Sequence, residues 1–167
     1  MPHRGSCRST AMITLADAQT DTDLTIIRCL FREYAGTLGF DLSFQNFNAE
    51  LTGLPGEYAP PRGRLIVAHS DDGPAGCIAL RCLDGETCEM KRLYVRPPYR
   101  GHKLGRLLAE ESIRAAREIG YRRMRLDTVP DMIQAIALYR SLGFREIPPY
   151  RHNPIEGALF FELKLRD

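Results

Sequence analysis

Apolar residues recur along this chain in two patterns, spacing at three and four or strict alternation, and their order predicts strands first and then strands and helices in turn. Residues 12–16 read as a short opening strand. From there Ile26, Ile27, Leu30, Phe31, Tyr34 and Leu38 repeat at helical spacing, with Asp21 or Thr22 as the cap and Gly39 as the stop. Residues 44–54 can form a second, shorter helix, and Pro55, Gly56, Pro60 and Pro61 then impose an irregular loop. Three strand-like runs follow, at 64–69, 75–83 and 86–95, the first two separated by the turn sequence Asp71-Asp72-Gly73-Pro74.

In the third run the apolar positions are Met90, Leu93 and Val95. The step of three breaks strand alternation and predicts a β-bulge near Lys91. A helix over 103–119 carries Leu104, Leu107, Leu108, Ala115 and Ile119 on one face and stops at Gly120. After a strand at 123–127, Pro130 and Asp131 open a helix with Met132, Ala135, Ile136, Tyr139 and Leu142 on one side and Gly143 at its end. Strands at 145–147 and 158–165 close the chain, the last with Leu159, Phe161, Leu163 and Leu165 alternating. The expected class is α+β: a mixed sheet of about seven strands covered by about four helices.

With 44% hydrophobic and 26% charged residues, the 167-residue chain has the balance of a globular protein, which excludes disorder over most of its length. One domain over 12–167 is expected, preceded by a polar, basic leader at 1–11 that is expected to be disordered. No apolar run approaches the roughly 20 residues of a membrane span, and the N-terminus lacks the apolar core of a signal peptide, so a cytoplasmic location is expected. Cys7, Cys29, Cys77, Cys82 and Cys88 are odd in number and form no CxxC pair, so reduced thiols are expected and no metal site. Net charge is only +2, but residues 91–125 hold eleven basic side chains against three acids. A polyanionic ligand fits that segment.

The chemistry concentrates in Arg100-Gly101-His102-Lys103-Leu104-Gly105-Arg106, a glycine-containing turn between a strand and a helix. Uncapped N–H groups and the positive end of the helix dipole form a cradle for a pyrophosphate. Neither GxGxxG nor GxxxxGK[ST] is present, so dinucleotide-binding and P-loop folds are not supported.

The wider stretch 93–108, Leu-Tyr-Val-Arg-Pro-Pro-Tyr-Arg-Gly-His-Lys-Leu-Gly-Arg-Leu-Leu, resembles the acetyl-CoA motif of the GNAT N-acetyltransferase superfamily. About forty residues on, Ala135-Ile136-Ala137-Leu138-Tyr139-Arg140-Ser141-Leu142-Gly143-Phe144 resembles its second signature. The resemblance implies a splayed, bulged middle strand and an acetyl-CoA-dependent transfer to an amine. Leu93, Tyr94 and Val95 would pair with the pantetheine arm. Arg100, Gly101, His102, Lys103, Leu104, Gly105 and Arg106 would hold the pyrophosphate, with side-chain charge from Arg96 and Arg106. Tyr139 would protonate the thiolate, and Glu89, or a water it orders, would be the base. A backbone N–H at Leu93 or Tyr94 would meet the oxyanion. Two positions depart from the family pattern. Lys103 stands where it has Gly, and a lysine is expected to resist a strained φ; Met132 stands where many members have Asn.

An amine must lose a proton before it attacks a thioester, so a base, an oxyanion donor and an acid are all required. For the acceptor, Glu33, Tyr34, Phe44 and Gln45 are candidates on one wall, and Tyr150, Arg151 and Asn153 on the other. Arg151 would suit a carboxylate. The expected acceptor is a small-molecule amine, with a protein N-terminus or lysine as the rival. A non-catalytic acyl-CoA sensor is the alternative of another class. No nucleic-acid-reading element is found, no membrane partner is expected, and a homodimer is left open.

Overall fold

A computed structural model describes residues 12–167, the Phe44 side chain excepted. The expected leader lies outside the described residues. Seven strands form one sheet: β1 (Thr14–Asp17), β2 (Arg64–Ser70), β3 (Gly73–Cys82), β4 (Thr87–Val95), β5 (Arg123–Thr128), β6 (Arg145–Ile147) and β7 (Leu159–Lys164). Their order across the sheet is β1-β2-β3-β4-β5-β7-β6. Every pairing is antiparallel except β4 with β5. Helices α1 (Asp21–Thr37), α2 (Phe47–Thr52), α3 (Leu104–Ile119) and α4 (Ile133–Ser141) cover it. The mixed, mostly antiparallel α+β architecture is therefore the expected one.

Two apolar cores lie on opposite faces. Ile66, Ile78 and Leu80 share the α3 face with Met124, Leu126, Phe161 and Leu163, so this core runs under both halves of the sheet. Leu65, Val67, Cys77 and Ala79, one residue out of step, join Ile27, Leu30 and Phe31 of α1 and Leu51 of α2. That second core covers only the β1–β4 half. Over β5 and β7 its place is taken by the segment after β6, where Tyr150 sets its ring edge-on to Phe160 at 5.3 Å.

Helix bounds shift at the caps. Thr20, not Asp21 or Thr22, caps α1: its hydroxyl accepts from the Asp23 amide at 3.1 Å and the Asp23 carboxylate accepts from the Thr20 amide. The predicted second helix is cut to six residues, flanked by 3₁₀ turns at Ser43–Gln45 and Gly56–Tyr58. Leu107, expected on the buried face of α3, is 44% exposed.

The bulge falls one residue past Lys91. Cys77 opposes Tyr94 and Ala79 opposes Lys91, so Ile78 faces both Arg92 and Leu93. Arg92 absorbs the extra residue at φ 61. The consequence is chemical, because Lys91 and Arg92 both project toward α2 instead of alternating. Arg92 is nearly buried there, pairing with Glu50 at 3.0 Å and lying over the Phe47 ring. Lys91 donates to Gln45 at 3.1 Å.

Candidate active site

Pairing between β4 and β5 stops after three residue pairs, the last being Glu89 with Arg125. Beyond it the strands part, and the outer half of β4 keeps only β3 as a neighbour. The gap opens into a groove of about 760 Å³. Leu93, Tyr94 and Val95 form one wall, the start of α4 at Met132 forms another, and Arg100, Gly101, Lys103, Leu104 and Gly105 close the end. The N-terminus of α3 carries no side-chain cap and no acid in its first turn. Its amides and dipole are thus free for an anion.

Lys103 caps this helix at φ 59, in the left-handed region. The lysine therefore adopts the conformation it was expected to resist, and the glycine-like turn survives without glycine. His102 is exposed and does not line the groove. The phosphate-side charges expected from Arg96 and Arg106 are engaged within the protein. Arg96 pairs with Glu33 at 2.6 Å and donates to the Pro74 carbonyl. Arg106 bonds Glu110 at 3.1 Å and Ser141 at 2.6 Å. Arg100 donates from Nε to the Val95 carbonyl at 3.0 Å, which ties the turn back to the strand end.

At Tyr34, Leu93 and Met132 the groove meets a cleft of about 60 Å³, room for a few waters or a small polar group. Tyr139 lines it from the α4 side, 7% exposed and packed against Phe144 and Phe161. Burial pushes its hydroxyl pKa above the ordinary tyrosine value, so it stays protonated at neutral pH. Opposite stand Asp127 and Lys91, on the face that the bulge and the strand alternation give them. Asp127 accepts from Asn153 Nδ2 at 3.2 Å. Lys91 is 8% exposed, and burial, with Arg92 and Arg81 adding repulsion, pulls its ammonium down to about 7.

Glu89 lies next to this cleft but does not line it. It is fully buried, and its carboxylate accepts from Arg81 Nε at 2.9 Å and Tyr150 OH at 2.6 Å and pairs with Arg151. Lys91 Nζ stands 4.0 Å away. On the far side of Lys91 and Gln45 an outer pocket of about 420 Å³ is lined by Arg81, Arg151 and His152 and by Glu50 and Glu57.

The structure thus brings Tyr34, Gln45, Leu93, Tyr139 and Asn153 to one cleft and Arg151 to its outer pocket. It sets the half-buried Tyr150 behind them on Glu89, and it locks Glu33 onto Arg96 away from the cleft. The expected wall residue Phe44 has its side chain outside what the structure describes. Asp127 and Lys91 are the residues that sequence reasoning missed. Other charged residues share both strands, Glu89 and Arg92 in β4 and Arg123 and Arg125 in β5, so no local pattern singled these two out.

Among the described residues no helix is long and apolar enough to cross a membrane. Residues 25–144 match the profile of the Acetyltransferase (GNAT) family. An uncharacterised N-acetyltransferase of Schizosaccharomyces pombe is 41% identical over 155 residues, spanning 92% of this chain and 95% of its own. A GNAT-family acetyltransferase structure from Staphylococcus aureus superposes with a TM-score of 0.75 at 21% identity, covering 93% of this chain and 100% of the other. A Salmonella typhimurium structure solved with its cofactor acetyl-CoA gives a TM-score of 0.65 at 22% identity, over 93% and 95% of the two chains. The splayed sheet, the uncapped helix start and the buried tyrosine are features of a chain that belongs to the GNAT family of N-acetyltransferases.

Proposed function

We propose that this enzyme transfers acetyl from acetyl-CoA to the primary amine of a small molecule. The observation that carries the reading is the continuous path from the uncapped start of α3, along the unpaired half of β4, into the cleft at Tyr139. The cleft's small volume favours a small acceptor over a protein segment.

Bound acetyl-CoA would supply an activated thioester carbonyl. The backbone of Leu93, Tyr94 and Val95 would hold the pantetheine arm in strand fashion, and the amides of the 100–106 turn would meet the pyrophosphate. The Leu93 or Tyr94 N–H would stabilise the oxyanion. Tyr139, kept protonated by burial, would give its proton to the departing thiolate. Glu89, closed in by Arg81, Tyr150 and Arg151, would act on the amine only through an ordered water, while it positions those side chains.

The test is a melting titration with acetyl-CoA, then a panel of amines scored for free thiol. Binding should stabilise the fold by about 2.7 kcal/mol at a hundredfold excess over Kd. A missing shift would remove the acetyl-CoA reading; a shift without thiol release from any amine would remove the proposed acceptor class.

A further inference from the structure

The cleft and its outer pocket differ in charge at their two ends. Asp127 is the one carboxylate lining the cleft among the described residues. Its hydrogen-bond partner is a neutral amide, Asn153, and among the described residues no cation pairs with it. The opposite end is cationic. Arg81, Lys91 and Arg151 converge on Glu89, and the second acid there, the exposed Glu57, pairs with Arg81. Arg92 and Glu50 form their own pair and leave that surplus unchanged. With Lys91 protonated, three cations face two acids and one positive charge is left over in a largely buried place.

Two further observations mark this end as suited to an anion. The buried Arg151 Nε has no hydrogen-bond partner, and buried donors are nearly always satisfied. Burial and Arg81 also pull Arg151 down to about 10, as burial with Arg92 and Arg81 pulls Lys91 to about 7. The shared carboxylate of Glu89 does not offset the crowding of these cations.

We propose that the acceptor is an amino-acid-like zwitterion, its ammonium held by Asp127 in the cleft and its carboxylate seated by Lys91 and Arg151 where cleft and outer pocket meet. The inference rests on the acetyl-transfer reading and narrows it to one chemical class. Lys91 lines both spaces and links the two ends. An alkylamine satisfies Asp127 and leaves the surplus positive charge and the Arg151 Nε unmet. A chain N-terminus presents its amine with no carboxylate beside it. The step balances: the ammonium gives one proton to water in the cleft and its nitrogen forms the amide C–N bond as the thioester C–S bond breaks. The nitrogen then loses a second proton, the thiolate gains one from Tyr139, and that tyrosine is reprotonated. One proton is released overall.

The experiment compares glycine, β-alanine and L-glutamate with glycinamide, β-alaninamide and propylamine as acceptors. Amines bearing a carboxylate should exceed their uncharged counterparts at least ~100-fold in kcat/KM, because a buried charged site rejects a ligand that leaves it unpaired. Arg151→Met should cut that preference to under tenfold, and Arg151→Lys should restore part of it. Both should keep the wild-type melting shift with acetyl-CoA, which is read separately and tests the parent reading. Asp127→Asn should raise KM for both sets of amines alike. Equal turnover of acids and amides by the wild-type enzyme would overturn the proposal. So would an acetyl-CoA shift with no carboxylate-bearing amine accepted, and acetyl transfer itself would still stand. No acetyl-CoA shift would bring down both.

Discussion

Tyr139 and Lys103 show how far one residue's surroundings reset its expected behaviour. Tyr139 sits among aromatic rings and keeps its proton. Tyr139→Phe preserves that packing and removes only the hydroxyl, so kcat should fall ~10²–10³-fold with KM for acetyl-CoA unchanged. Steady-state thiol release measures both, and an unaltered kcat would end the acid role. Lys103 pays a backbone cost for its left-handed φ of 59. A side chain in that region is strained by roughly 1–2 kcal/mol, part of which glycine forfeits in the unfolded chain. Lys103→Gly should therefore raise stability by up to about 1 kcal/mol, seen as a melting point ~2–4 °C higher. A lower melting point would mean that the lysine side chain stabilises the turn by more than its backbone strains it.

Elements with their own periodicity were readable in advance. The long helices announced themselves by spacing at three and four, and β7 by alternation of Leu159, Phe161, Leu163 and Leu165 on the α3 side. Strand β4 was readable in part. Its broken alternation implied a bulge, but which residue would take a positive φ depends on register with β3, which no local pattern encodes. Asp127 and Lys91 were illegible for a related reason. They meet only because β4 and β5, far apart in sequence, pair in parallel and then diverge. Glu33 was misleading because its partner Arg96 lies 63 positions away. Register also makes Gly76 irreplaceable in β3: a Cβ there would lie 2.4 Å from the Tyr94 carbonyl oxygen. Gly76→Ala should cost ~1–3 kcal/mol. It should also weaken acetyl-CoA binding, because the displaced backbone is the groove wall; a titration showing unchanged affinity would separate wall from groove.

For the whole molecule, the buried cations couple folding to pH. The folded-state pKa of Lys91 lies near 7, below the unfolded value, so the unfolded chain binds the extra proton across the interval between them. Stability contributed by this site thus rises as pH climbs from about 7 toward the ordinary lysine range, and is lost as pH falls back through about 7. Lys91→Met should flatten that slope, so its advantage over wild type should be largest at or below neutral pH and shrink at pH 9. Parallel melts of both proteins at pH 6, 7, 8 and 9 would reveal the difference, and a constant offset would show that Lys91 does not titrate with folding. The same melts with acetyl-CoA separate this effect from ligand binding, since the groove lies on the other side of Leu93.

The early end of the β4–β5 ladder has a colloidal consequence as well. An open sheet has two outer edges, each a template for a foreign strand. Here the parting of β4 from β5 creates a third edge in the middle of the sheet, six residues long from Met90 to Val95. In the ligand-free protein that edge is an adhesive stripe, and the left-handed Arg92 kinks it out of the flat form that edge-to-edge association needs. A bound pantetheine arm would cap the stripe, so saturating ligand should protect this protein against clumping during concentration and heating as well as against unfolding.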